Sequence, residues 1–261
     1  MEAKAHQGDA STQFDLARAY LKGDIVNRDP LRAFELMTGA ANKGHAEAMG
    51  GVGFFYANGI VVNKDLATAV EWFRKGAEKG GPKSQLNLGK LLAEGIGIKK
   101  NEEEGRKWIK ASADQGLPDA LFAQGSLCYF GTYGQTVDYA AAYPYLLKAA
   151  QIGHPDAQNL VGVMLEEGKG VQANEVEALG WFRKAAEQGV AKGQMNVGRL
   201  LGPENSDQAR RLESLAWLTL AADQGDVPAQ KLLPELSPEE MSKVKKLASD
   251  LKNNTLPKTS K

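Results

Sequence analysis

Hydrophobic and small residues recur along this chain with a period of about 36 residues. Each period closes on a glycine, at positions 8, 44, 80, 116, 153, 189 and 225. Alanine stands three residues before each of these glycines, and a bulky side chain stands eight residues before all but the first. A fixed period of this length is typical of repeat proteins, in which each unit is one supersecondary structure that packs on its neighbours.

Each unit is predicted to contain two helices, and the fifth unit shows why. Residues 156–167 place four aliphatic side chains at helical spacing, and a glycine-rich turn follows them. Residues 174–188 carry Trp181 and Phe182 on one face, and Gly189 is expected to cap this second helix in the left-handed conformation. Because neither helix can bury its apolar face alone, the stacking of units is expected to form the core of an α-solenoid.

Two columns of residues predict how these helices pack. One is a column of small residues in the first helix, which let the two helices of a unit approach closely. Its members include Ala17, Gly53, Gly89, Gly162 and Gly198. The other is the bulky column, which is expected to fill the gap between neighbouring units. It consists of Leu36, Trp72, Trp108, Tyr145, Trp181 and Trp217.

The period predicts six full units with incomplete repeats at both ends. The units are 9–44, 45–80, 81–116, 117–153, 154–189 and 190–225. Residues 1–8 match the end of a preceding repeat, which indicates that a preceding segment or leader has been removed. Residues 226–252 are predicted to begin a seventh repeat and then to form a capping helix that opens at Ser237. Residues 253–261 are predicted to be a disordered tail.

Composition and charge exclude several classes of protein. The 32 basic and 32 acidic residues give a net charge of zero, whereas nucleic-acid-binding proteins usually carry a basic excess. No apolar run approaches the roughly 20 residues that cross a bilayer. The single cysteine, Cys128, excludes an intrachain disulfide and a cysteine-based metal cluster. We therefore expect no nucleic-acid partner, no integral membrane segment, no metal site and no cofactor.

The unit reads A-Q-x-x-L-G-x-x-Y-x-x-G-x-G-V and then A-x-x-W-x-x-K-A-A-x-Q-G, and residues 157–171 with 178–189 are its closest copy. This pattern resembles the Sel-1-like repeat, a relative of the tetratricopeptide repeat. The resemblance covers residues 8–225. It implies an all-α, right-handed solenoid of about six 36-residue helix-turn-helix repeats with a C-terminal capping helix. The expected function is a non-catalytic scaffold or adaptor that binds a protein or peptide on the concave face.

Little in the sequence points to catalysis. His45 and His154 occupy equivalent turn positions about three units apart, too far to share a metal. Residues 242–245 form an S-x-x-K string, and some Sel-1-like proteins are described as binding or cleaving β-lactams. The string falls on the predicted capping helix, with no pocket to desolvate a lysine. We expect no enzyme activity, with a cell-wall-related or β-lactam-binding hydrolase as the alternative function.

The resemblance to tetratricopeptide repeats implies that ligands contact the first helix of each unit, around its small residue. Asn87 with Lys90, and Asn196 with Arg199, are pairs three residues apart on one helix face. An amide beside a cation can hold a peptide backbone or carboxylate through charge-assisted hydrogen bonds. The candidate peptide-binding residues on this face are Arg18, Phe54, Asn87, Lys90, Asn196 and Arg199.

The fourth unit departs most from the repeat. It has one extra residue and holds five of the seven tyrosines. Pro144 falls inside its second helix, which predicts that this helix starts late or kinks. The aromatic residues either form a binding hot spot, which adds Tyr129 to the candidate residues, or repack a distorted unit. Cys128, in the same unit, occupies a position filled by large residues elsewhere and is predicted to be buried.

Partner and location are expectations from the resemblance. The partner is expected to be a protein or peptide, bound by a monomer. Repeats of this kind are common in bacteria and often exported, so we expect a bacterial protein in the periplasm or another extracytoplasmic compartment. The cytoplasm is the alternative, because a chain with a single cysteine is compatible with both oxidising and reducing compartments.

Overall fold

The structure is a computed structural model that describes residues 9–255 of the chain. Over these residues the secondary structure is helical, without a β-strand, so the predicted all-α fold is confirmed. The helices fall into two compact units, one ending at Val137 and the other beginning at Asp138.

Helices alternate between the first and the second helix of each repeat. Over residues 9–137 they are α1 (Ala10–Lys22), α2 (Pro30–Asn42), α3 (Ala46–Asn58), α4 (Leu66–Glu78), α5 (Pro82–Glu94), α6 (Glu102–Asp114) and α7 (Pro118–Phe130). Over residues 138–255 they are α8 (Tyr139–Gln151), α9 (Pro155–Glu167), α10 (Glu175–Glu187), α11 (Ala191–Leu201), α12 (Gln208–Asp223), α13 (Val227–Leu232) and α14 (Pro238–Thr255). Odd-numbered helices up to α11 are first helices, and even-numbered helices up to α12 are second helices.

Short polar residues and glycines set the helix boundaries. Each second helix begins at an aspartate or asparagine whose side chain accepts a backbone N–H of the first turn, as Asn174 does at the start of α10. The helices predicted over 156–167 and 174–188 are confirmed to within one residue as α9 and α10. Gly189 has a φ of 84°, in the left-handed region that its predicted capping role requires.

The two helices of a repeat approach closely where the first helix carries a small residue. A Cβ built on Gly162 of α9 would lie only 2.6 Å from Cε1 of Phe182 in α10. The same relation holds between Gly198 and Leu218, where the Cβ would lie 2.5 Å from Cγ. The predicted role of the small residues is therefore confirmed, because a side chain at these positions would push the helices apart.

Leu36 and Trp217 of the bulky column are buried, but its other members are less buried than the sequence predicted. Trp108 packs against the core residues of α4 and α5 but is only half-buried, as are Trp72 and Trp181. The residue that follows the tryptophan is the buried one, because it points directly at the first helix of its own repeat. Phe182 is 0% exposed at this position and fills the space above Gly162. The main core residue of the second helix thus lies one position beyond the predicted column.

Buried glutamines link successive repeats within each of the two compact units. Gln158 Nε2 donates to the carbonyl oxygen of Ala150 at 3.2 Å, and Gln158 Oε1 accepts from Gln188 Nε2 at 2.7 Å. Gln188 Nε2 also donates to the carbonyl oxygen of Gly153 at 3.0 Å. These bonds satisfy carbonyl groups at the end of a second helix, which have no partner inside that helix.

The fourth repeat keeps regular helices despite its unusual sequence. The prediction that its second helix starts late is wrong. Helix α8 begins at Tyr139, with Asp138 as its N-cap, and has the same length as α10, 13 residues. Pro144 lies inside α8, where the side chain is exposed. Cys128 of α7 is 2% exposed, as predicted for a residue between helices.

The C-terminal region adds two helices after the sixth repeat. The short helix α13 packs against α12, and α14 packs against both α12 and α10. Ser237 caps α14 as predicted, with Oγ accepting from the N–H of Glu240 at 3.3 Å. The helix continues to Thr255. The predicted repeat fragment at residues 1–8 and the remainder of the predicted tail, residues 256–261, lie outside the described residues.

Candidate ligand-binding groove

A groove of about 690 Å³ runs across the first helices α1, α3 and α5. Each helix contributes residues spaced three or four apart, so one face of each helix points into the groove. Three of the predicted binding residues line it, one from each helix: Arg18, Phe54 and Asn87. Lys90 lies on α5 one turn beyond Asn87 and is exposed.

Glycines in α3 let this helix pack closely against α2 and α5. Gly50 and Gly51 both line the groove. A Cβ on Gly50 would lie 2.5 Å from Oγ of Ser84 in α5, and one on Gly51 would lie 2.6 Å from Sδ of Met37 in α2. A larger residue at either position would require the side chain of Ser84 or Met37 to move.

Aromatic side chains from α1 and α3 line the groove. Phe54 is 47% exposed, which is unusual for a phenylalanine in a helix with buried neighbours such as Phe55. Phe14 stacks on the ring of His45, with 4.5 Å between the ring centroids, and the guanidinium of Arg18 lies 5.7 Å from the Phe14 centroid. These rings offer apolar surface to a ligand side chain.

The charged groups of the groove carry both signs. Arg18, Lys83 and Lys90 have no carboxylate partner within ion-pair distance among residues 9–255. Glu47 lies 3.5 Å from Nδ1 of His45, which itself accepts the N–H of Ala48 as the N-cap of α3. Unpaired cations near an exposed aromatic ring can bind a carboxylate without first breaking an internal ion pair.

The predicted binding residues of the second compact unit, which begins at Asp138, make internal contacts that those of the first do not. Asn196 of α11 is only 6% exposed, and its Nδ2 donates to Oδ1 of Asn159 in α9 at 3.0 Å. Arg199 is exposed but pairs with Glu166 at 2.7 Å. Asn196 and Arg199 thus link α11 to α9, whereas Asn87 and Lys90 make no such bond to another first helix within residues 9–255.

The aromatic residues of the fourth repeat mostly pack within the protein. Tyr129 is 9% exposed and contacts Phe130 edge to face, with 4.7 Å between the ring centroids. Tyr133 has a φ of 52°, its carbonyl oxygen accepts from Arg106, and its hydroxyl donates to Glu94 at 2.8 Å. Burial, together with Glu94, raises the pKa of Tyr133 to about 12. These contacts favour the repacking interpretation over a hot spot centred on Tyr129.

The S-x-x-K string lies on the surface of α14. Ser242 is exposed and lines none of the cavities described near that helix. Lys243 pairs with Glu239 at 2.7 Å, one turn earlier on the same helix. The similar Lys-Thr-Ser sequence at 258–260 lies outside the described residues.

Sequence reasoning missed several groove residues. Lys83 lies one turn before Asn87, Glu47 lies two turns before Phe54, and Phe14 lies one turn before Arg18. His45 was assigned to a turn, which is correct for its backbone, but its ring also lines the groove. Spacings of four residues, from Lys83 to Asn87, and of seven residues, from Glu47 to Phe54, place both on the same helix face as a selected residue and could have found them.

The repeated helix pairs, the close contacts at small residues and the groove define a helical repeat protein with a candidate binding face. The Sel1 repeat family matches residues 10–45, 46–81, 82–117, 118–154, 155–190 and 191–226. The chain therefore belongs to the Sel1 repeat family.

Solved structures of similar proteins come from bacteria. The antigen c5321, a protective antigen present in uropathogenic Escherichia coli strains, displays an SLR fold and is 27% identical with a TM-score of 0.81. The match covers 97% of this chain and 55% of the antigen, so this chain spans about half the length of that protein. A Sel1 repeat protein from Oxalobacter formigenes is 28% identical with a TM-score of 0.75, over 83% of this chain and 89% of that one.

The immunity protein Pa5087 from Pseudomonas aeruginosa shares the fold alone, at 20% identity and a TM-score of 0.51 over 84% of this chain and 83% of that one. No curated protein matches the chain. Proteins of the Sel1 repeat family generally act as protein-interaction scaffolds and are typically non-catalytic. None of the helices in residues 9–255 combines the length and the apolar character needed to cross a bilayer.

Proposed function

We propose that this protein binds a protein or peptide segment in the groove across α1, α3 and α5. The observation that carries the proposal is the row formed by Arg18, Phe54 and Lys90 on three successive first helices. Phe54 is exposed and lies on the helix between those of Arg18 and Lys90, two cations without a carboxylate partner among residues 9–255. This row offers an apolar contact and charge-assisted hydrogen bonds to one segment.

The groove suits an extended segment better than a small molecule. It is open along the three helices and has mixed charge, since Asp15, Glu47, Arg18 and Lys83 all line it. Small-molecule sites are usually enclosed and mostly apolar, with a few convergent polar groups.

A pull-down with matched variants tests this function. Wild-type protein, Arg18→Glu/Lys90→Glu and Phe54→Ala are used to retain partners from bacterial extract, and the retained protein is identified by mass spectrometry. The control, Arg210→Glu/Lys246→Glu, reverses an exposed arginine and lysine on α12 and α14, away from the groove. We expect the partner to be lost from both groove variants and kept by the control. Equal retention by all four proteins would refute the assignment of the groove.

We further propose that the protein binds as a monomer. Light scattering coupled to size exclusion is expected to give a mass near 28.1 kDa without partner. A mass twice as large at micromolar concentration would contradict this proposal.

A further inference from the structure

The three first helices that form the groove are regularly spaced. Helices α1, α3 and α5 begin 36 residues apart in the sequence, and each has 13 residues. Neighbouring helices of this set are in contact, since Phe14 of α1 stacks on His45 at the start of α3, and α3 approaches α5 closely at Gly50 and Ser84. Helices packed in this way have axes about 8–10 Å apart. Equivalent residues on successive first helices are therefore separated by a nearly constant distance.

Arg18, Phe54 and Lys90 occupy one equivalent position on these helices, directly after the small residue of each. All three side chains are exposed, and neither cation has a carboxylate partner within residues 9–255. The row thus presents a cation, an aromatic ring and a second cation on successive helices, at intervals of about 8–10 Å.

This interval matches one conformation of an extended peptide. A polyproline II segment rises about 3.1 Å per residue with three residues per turn, so every third side chain lies on the same face, about 9 Å from the last. In a β-strand the side chains of one face recur at every second residue, roughly 6.6 Å apart, and the next multiple is roughly 13 Å. A polyproline II segment therefore places successive side chains of one face against successive first helices, whereas a β-strand does not.

The side chain of Asn87 is suited to bind the main chain of such a segment. It is half-buried, lines the groove one turn before Lys90, and bonds to no other side chain within residues 9–255. The backbone N–H and carbonyl groups of a polyproline II segment have no internal partners. The amide of Asn87 both donates and accepts, so it satisfies either kind of backbone group.

Acidic residues near the row limit where a ligand carries its own acids. Asp15 lies one turn before Arg18, and Glu94 lies one turn after Lys90, where it accepts from the hydroxyl of Tyr133 at 2.8 Å. Neither acid forms an ion pair with its neighbouring cation within residues 9–255. The cations are therefore open to ligand carboxylates, while Asp15 and Glu94 disfavour further acids between or beyond them.

We propose that the groove selects a partner segment with the pattern acid-x-x-apolar-x-x-acid in the polyproline II conformation. The apolar side chain contacts Phe54, and the two carboxylates bind Arg18 and Lys90. Each carboxylate belongs to an aspartate or glutamate side chain or, at the end of the segment, to the C-terminus of the partner. This inference rests on the proposed binding groove and adds the sequence spacing that the groove recognises.

Synthetic peptides test the spacing directly. The probe is fluorescein-labelled P-E-P-P-L-P-P-E-P with an amidated C-terminus, in which proline favours the polyproline II conformation. The control, P-P-P-E-L-E-P-P-P, has the same composition but places both acids beside the leucine. Fluorescence anisotropy with the full chain is expected to show saturable binding of the probe and binding of the control that is weaker by about fivefold or more. The peptide P-E-P-P-L-P-P-A with a free C-terminus shows whether a terminal carboxylate replaces the second glutamate.

Charge exchange at one end of the row provides a second test. Lys90→Glu is expected to weaken the probe by about fivefold or more, and one of the two peptides in which a single glutamate is replaced by lysine should recover binding. Which of the two recovers binding gives the direction of the segment. Lys246→Glu, at an exposed lysine of α14, is expected to bind the probe like wild type. Circular dichroism verifies that each variant is folded.

The outcomes separate this inference from the groove itself. Equal binding of the probe and the control, or no saturable binding of the probe below a Kd of about 1 mM, would overturn the inference. If Arg18→Glu/Lys90→Glu nevertheless loses the partner that wild type retains from bacterial extract, the proposed groove still stands. Retention of that partner by the double variant would refute the groove and the inference together.

Discussion

Replacing Gly162 with alanine tests the close approach of the two helices in one repeat. The new Cβ would lie 2.6 Å, 2.7 Å and 3.0 Å from Cε1, Cδ1 and Cζ of Phe182, which is itself 0% exposed. Overpacking of this kind costs about 1–3 kcal/mol, and three ring atoms inside 3.0 Å place the cost near the upper end. Alanine regains about 1 kcal/mol of helix propensity. We therefore expect Gly162→Ala to lower the free energy of unfolding by roughly 1–2 kcal/mol.

Gly180 supplies the matched control, because a Cβ there would meet no atom within 4 Å. Gly180→Ala on the exposed face of α10 is expected to raise the free energy of unfolding by about 0.5–1 kcal/mol. Urea unfolding followed by circular dichroism measures both variants, with the slope m used to verify that the exposed surface is unchanged. Phe182→Leu in the background of Gly162→Ala should recover part of the loss. The reasoning fails if both glycine variants shift stability in the same direction.

Three further predictions concern buried groups. Gln158→Ala leaves the buried carbonyl of Ala150 without its donor and should cost about 2–3 kcal/mol in urea melts, whereas Gln230→Ala, at an exposed position, should cost under about 1 kcal/mol. Phe182→Ala should cost about 3–5 kcal/mol; a larger loss from Trp181→Ala would contradict the observed core. Tyr133 should titrate near 12 by absorbance, and its raised pKa stabilises the folded state below pH 10, an effect lost as the pH rises towards 12. Tyr133→Phe should remove this titration step.

The repeat made most of the fold predictable. Periodic glycine and alanine fixed the helix pairs, and small residues such as Gly162 correctly indicated close helix contacts. The predicted burial of the tryptophan column was too high. The size of an aromatic side chain does not indicate which of two adjacent residues in a helix points inward. Trp181 and Phe182 are neighbours in α10, and the contact of Phe182 with Gly162 of α9 distinguishes them.

The candidate site was predictable in part. The column around the small residue contains Arg18, Phe54 and Asn87, which line one groove, and their role in binding stays a prediction. It could not show that Arg199 pairs with Glu166 or that Asn196 bonds to Asn159, because these contacts join residues more than 30 positions apart. The position of α14 was also beyond the sequence, which predicted a cap on the last repeat but not its contact with α10.

Photocrosslinking from the groove is the most direct test of the proposed binding face. A benzoylphenylalanine is introduced in place of Phe54, or in place of Val176, which is 85% exposed on α10 and outside the groove. Each protein is irradiated with the partner that the wild type retains. The account predicts a crosslinked partner from position 54 and none from position 176. Crosslinking from position 176 alone, or equally from both, would contradict it.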